Sequence, residues 1–122
     1  SKYFKRPEFR CNGTNCHPSG EGNCGFDTVD AELIAILDKV RYHFCKPVRI
    51  TSGCRCAEYN ASINGAPRSQ HVLGRAADIV VEDTSPEEVA DYLESINAPA
   101  IGRYSGWVHV DSRTNGGARW VS

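Results

Sequence analysis

The sequence predicts an α+β fold, a small antiparallel sheet packed against two main helices. Three observations carry the fold prediction. Two stretches place apolar residues at three- and four-residue steps, as amphipathic helices do. Several short β-branched runs lie between and after them. No regular strand–helix repeat links the two kinds of segment, which argues against a doubly wound sheet. With 122 residues, 40% hydrophobic and 24% charged, the chain suits one domain over 1–122 with one core.

Residues 1–26 are rich in Gly, Asn, Cys and Pro and lack periodicity. They are expected to be irregular and held by disulfides rather than by a core. Val29, Leu33, Ile36, Leu37, Val40 and Phe44 then mark a helix from about Asp30 to about Cys45, stopped by Lys46-Pro47. Val48 to Thr51 reads as a strand, and Ser52-Gly53 as the turn leaving it. A short helix is expected over 57–64, ending near Gly65. Ala76 to Val81 reads as a buried strand. Ser85 can cap a helix, Pro86 suits its first position, and Glu88 completes a capping box. Val89, Leu93 and Ile96 give that helix its buried face. Ile101 to Tyr104, Trp107 to Asp111 and Ala118 to Val121 read as further short strands. The last six residues are expected to fray.

Formal net charge is −1, so no basic surplus points to nucleic acid. No apolar run is long enough to span a membrane, and nothing suggests an extended interface, so a monomer is expected. Six cysteines (Cys11, Cys16, Cys24, Cys45, Cys54 and Cys56) suit three disulfides and an extracytoplasmic, oxidising location. A structural zinc site of Cys11, Cys16, His17 and Cys24 is the rival reading, and it lacks a tight C-x-x-C pair. Asn12 and Asn60 each open an N-x-Ser/Thr sequon.

Of four histidines, two stand in suggestive settings. His71 lies in a loop with Gly74 that feeds the strand entered by Asp78. In Trp107-Val-His109-Val-Asp111, alternation puts Trp107, His109 and Asp111 on one face and the two valines on the other. Valines facing the core push His109 and Asp111 toward a cleft. Two imidazoles and one carboxylate make a typical catalytic zinc set with a coordination position left over. His17 and His43 read as structural residues.

Ser69-x-His71-x-x-Gly74-x-Ala76-x-Asp78, followed by His109-x-Asp111, closely resembles the zinc D-Ala-D-Ala carboxypeptidases and murein endopeptidases, of the wider group that includes lysostaphin-type enzymes and the hedgehog signalling domain. Ile50 to Cys56 is similar to that family's Ser-Gly-Tyr-Arg segment. Asn60, Gly65-Ala66, Gly102-Arg-Tyr104 and Arg119-Trp120 extend the likeness over about residues 8 to 121. The resemblance implies one Zn2+ held by His71, Asp78 and His109, and attack of zinc-bound water on peptide bonds of peptidoglycan stems or cross-links. It implies that Arg55 stabilises the oxyanion or a substrate carboxylate. Ser69, Tyr104 and Trp107 are expected on the substrate side.

Two departures bear on mechanism. Many relatives carry an acid three residues before the last zinc histidine, where this chain has Gly106. Asp111 is the expected substitute as general base, with orientation of an imidazole as its other possible role. Cys54 stands where the family commonly has an aromatic residue. The alternative to an enzyme is a catalytically silent zinc module of the same fold, in which the metal organises a recognition surface.

Overall fold

The computed structural model describes residues 3–12, 29–53, 55, 60, 61, 63, 65, 69–71, 73–114 and 116–122. Among them lie a 3-10 turn (Arg6–Phe9), two helices, α1 (Ala31–Phe44) and α2 (Pro86–Ser95), and five strands. The strands are β1 (Val48–Ser52), β2 (Ala76–Val81), β3 (Ala100–Arg103), β4 (Val108–Asp111) and β5 (Ala118–Val121), in sheet order β1-β2-β4-β3-β5. The α+β class is as expected. Most of the 57–64 segment lies outside the described residues.

Both helices pack their apolar stripes on one face of the sheet. Leu33, Ile36, Leu37 and Val40 of α1 and Val89 and Leu93 of α2 are buried there against Ile79, Val81, Ile101, Val108 and Val110. Each such aliphatic side chain contributes roughly 1.5–3 kcal/mol when fully buried. Lys46-Pro47 follows the end of α1, but the stop itself is Cys45 in the left-handed region (φ 54), its N–H donating to Arg41 O. At α2, Ser85 Oγ accepts the Glu88 N–H at 3.2 Å. Arg103 then ties α2 to the sheet through Glu87 and Asp91, 3.0 Å each.

Three expectations are corrected. The sheet is mixed, because β5 runs parallel to β3. Both edges of β4 are already taken, by β2 and by β3. The returning chain therefore docks on the free edge of β3, and having reversed from β4 it runs the same way as β3. The last residues do not fray: β5 is paired along its length, and Ser122 N donates to Arg103 O at 2.9 Å. The described part of the N-terminal segment, residues 3–12, is not without a core. Phe4 and Phe9 are buried in it, with rings 6.2 Å apart. Two aromatic side chains bury enough apolar surface to anchor an otherwise irregular segment.

No disulfide is formed among the described residues; Cys45 Sγ, expected to be half of one, donates to Tyr42 O at 3.2 Å. Cys16, Cys24, Cys54 and Cys56, and with them most of the rival cysteine zinc site, lie outside the described residues. Asn60 is buried, so its sequon is not open to a glycan in the folded chain. No described helix is long and apolar enough to cross a membrane.

Gly53 leaves β1 directly beneath the N-terminal segment. A Cβ there would sit 2.6 Å from both Cα and O of Phe9, and backbone cannot yield as a flexible side chain can. Gly53→Ala is therefore expected to cost about 1–3 kcal/mol, as overpacking does. Urea unfolding against wild type measures it, and an unchanged midpoint would show that the segment moves aside freely.

Candidate metal centre

The antiparallel register of β2 and β4 sets Asp78 opposite His109. Val108 and Val110 point to the helices and are buried in the core, as the alternation predicts, so Asp78 and His109 project from the other face. His71 reaches the same place from the loop before β2. Ser69 Oγ accepts the His71 N–H at 3.2 Å, and His71 O accepts from Gly74 N and Arg55 N. Gly74 adopts φ 70, which lets the loop turn back into β2. Asp78 Oδ1 ends 3.4 Å from His71 Nε2 and 3.1 Å from His109 Nδ1. One ligand atom from each of the three residues lies within 4.8 Å of the others, so the group could hold a metal ion.

The hydrogen bonds behind the rings determine which nitrogens face the centre. His71 Nδ1 lies 2.6 Å from Gly53 O. A carbonyl only accepts, so Nδ1 carries the proton and the neutral ring presents its Nε2 lone pair. His109 is turned the other way, with Nε2 2.7 Å from Asp111 Oδ2 and Nδ1 toward Asp78. Asp111 accepts from the Arg113 backbone N–H and guanidinium, so it too is a pure acceptor and the neutral His109 presents Nδ1. Two imidazole lone pairs and a carboxylate converging on one centre fit zinc's preferred donors and leave a position open.

The same contacts shift the protonation of the group. Burial alone would raise the Asp78 carboxyl, but hydrogen bonds and charge from His109 and His71 hold it well below the usual carboxylate range. Burial likewise opposes ionisation of Asp111, and the Arg113 fork, His109 and the Arg113 N–H overcome it, so its carboxyl is also lowered. His109 is raised above its ordinary value: burial lowers it, and Asp111 and Asp78 more than offset that. The carboxylates are thus held ionised beside the two imidazoles.

A cavity of about 500 Å³ opens over the three residues. Arg55, Ser69, Tyr104 and Trp107, all anticipated from sequence, line it. Arg55 Nη1 donates to the buried Asn60 Oδ1 (3.3 Å), and Nη2 stands 3.8 Å from Asp78 Oδ2. Tyr104 and Trp107 stack nearly parallel, with centroids 4.6 Å apart. Asp111 is on the predicted face, but it does not line the cavity. Its side chain is 0% exposed, and both oxygens are taken by His109 and Arg113. Of its two possible roles, this is the geometry of an orienting group rather than of a base. Gly106 offers no side chain, and among the described cavity residues Asp78 is the one carboxylate. His43 stacks on Tyr92 at 3.9 Å, a structural contact as expected; His17 lies outside the described residues.

Three lining residues were not anticipated as site residues: Gln70, Arg113 and Trp120. Arg113 had a readable signal, since an Arg two residues after an Asp can fold its fork back onto that carboxylate. Trp120 stood in the family likeness through Arg119-Trp120, but its place beside the site depends on the parallel docking of β5. It lies across Gly102, where any Cβ would run into its ring, and 4.8 Å from the His109 ring.

The family model described as Peptidase M15, of the D-Ala-D-Ala carboxypeptidase type, matches residues 3–111. That family is zinc-dependent. No curated protein matches the chain.

The lowered Asp111 carboxyl has a consequence for acid stability. It binds protons less well in the folded than in the unfolded chain, so its contribution is complete above the unfolded value of about 3.9 and is lost as pH falls below it. The metal-free wild type is expected to lose more stability between pH 7 and pH 3 than Asp111→Asn does, in parallel urea titrations. Equal losses would show that Asp111 is not held ionised. His109 carries the opposite sign: its contribution is complete below about pH 6.5 and is lost as pH rises through the higher folded value.

Proposed function

The chain belongs to the peptidase M15 family, and from that premise we propose that it is a zinc peptidase hydrolysing peptide bonds of peptidoglycan, in stem peptides or cross-links, outside the cytoplasm. The observation that carries this reading is the three-residue donor set at the floor of an open cavity, with Arg55 beside it. His71, Asp78 and His109 would hold the zinc. When bound, zinc supplies Lewis acidity at the scissile carbonyl and makes a water acidic enough to attack at neutral pH.

The chain's own residues do the rest. Gly53 O holds the Nδ1 proton of His71, and Asp111 holds the Nε2 proton of His109, so neither ring can turn without losing a hydrogen bond. This supports an orienting role for Asp111. Arg55, braced by Asn60, is placed to receive charge developing on the carbonyl oxygen or a terminal substrate carboxylate. Ser69 anchors the His71 loop, and the Tyr104–Trp107 stack forms an apolar wall for the substrate.

A second reading, the silent zinc module, is favoured by one feature: no acid replaces the missing side chain at Gly106 among the described cavity residues. Digestion of purified peptidoglycan by zinc-loaded protein, with products identified by mass spectrometry, separates the two. The peptidase reading expects D-alanine from a carboxypeptidase, or stem and cross-link fragments from an endopeptidase, and no product from His71→Ala. Folded, zinc-bound wild type that releases nothing from varied walls would leave the module.

Metal titration tests the role of Asp111. An orienting carboxylate predicts that Asp111→Asn weakens zinc binding by about 10–100-fold. A general base predicts unchanged zinc affinity and a fall in kcat alone.

A further inference from the structure

We propose that Arg113 is a positioning residue for the metal centre, acting through Asp111 on His109, and that it does so by the shape of its guanidinium rather than by its charge. This rests on the zinc reading above.

Three donors of one residue grip the same carboxylate. Arg113 N and Nε reach Asp111 Oδ1 at 3.1 and 2.8 Å, and Nη2 reaches Oδ2 at 2.7 Å. The paired N–H groups of Nε and Nη2 fix the plane of the carboxylate. That plane places Oδ2 2.7 Å from His109 Nε2, and the ring so held directs Nδ1 at the centre, 3.1 Å from Asp78. Among the described residues, Arg113 and His109 are the side chains that donate to the Asp111 oxygens.

The clamp is itself held from two sides. Ser112, between the two partners, donates its N–H to Arg75 O at 2.9 Å and its hydroxyl to Asp30 Oδ2 at 2.7 Å. The backbone of Arg113 is thus tied to the segment entering β2 and to the start of α1. The guanidinium lies over the Trp120 ring, 5.7 Å from its centroid. Trp120 in turn donates Nε1–H to Tyr104 Oη at 2.9 Å and rests against His109. The fork is therefore presented at one angle, and its side chain is only 21% exposed.

Lysine supplies the charge without the fork. The experiment is zinc titration of full-length wild type, Arg113→Ala, Arg113→Lys, Asp111→Asn and the Arg113→Lys/Asp111→Asn pair, without substrate. Visible spectra of the Co2+-loaded proteins accompany it. Arg113→Ala and Arg113→Lys are both expected to weaken Zn2+ binding about 10-fold or more and to alter the Co2+ bands. In the Asp111→Asn background, Arg113→Lys is expected to cost little further, since its route to His109 is already cut. If Arg113→Ala does not fold, Arg113→Lys carries the same comparison. Wild-type affinity in Arg113→Lys overturns the proposal, as does a full additive loss in the double variant. A wild type that binds no zinc overturns it together with the metal reading, whereas failure at the variants alone leaves that reading standing.

Discussion

The pairing of β2 with β4 is the constraint on which core and site both depend. Ala77 and Ile79 face the helices while Asp78 faces the cavity; Val108 and Val110 do the same around His109. A slip of one residue would drive Asp78 and His109 into the apolar core and expose the valines. Burial of the aliphatic face therefore fixes the register, and the register brings the carboxylate to the imidazole. The stability of the fold and the assembly of the group that could hold a metal are one event on this pair of strands.

Around that pair, each imidazole is held from behind by an acceptor that cannot donate. For His71 this is a backbone carbonyl at the end of β1; for His109 it is a carboxylate buried at the end of β4. A buried carboxylate is costly unless paired, and Arg113 supplies the pair. The orientation of both rings is thus built into the framework, and a preset orientation reduces the ordering that any binding must impose.

The opposite face serves the same end. α1 and α2 cover the sheet, the Phe4–Phe9 segment packs at the β1 side, and Gly53 allows that segment to approach closely. The segment thus lies against the residue whose carbonyl orients His71. At the other edge, β5 brings Trp120 beside His109. Of these peripheral elements, β5 lines the cavity itself through Trp120, and the N-terminal segment backs the Gly53 turn.

Most of the helices and strands were legible in the sequence: α1 and α2 show their buried stripes, β4 alternates valines with His109 and Asp111, and β2 is apolar and β-branched. The Ser85 cap was readable because its geometry is local. His71, Asp78 and His109 stood out through a spaced motif joined to a strand alternation, and Arg55, Ser69, Tyr104 and Trp107 through family likeness. What sequence could not decide depends on partners distant along the chain. The parallel docking of β5 follows from which sheet edges remain free. The place of Phe4 and Phe9 follows from the gap left beside β1. The assignment of Asp111 turns on the same logic. Alternation placed it on the correct face, but whether its oxygens meet solvent or Arg113 is set by how the chain turns after β4. Periodicity records which side of an element is buried, while the role of a titratable group depends on which atoms three-dimensional packing brings within hydrogen-bond reach.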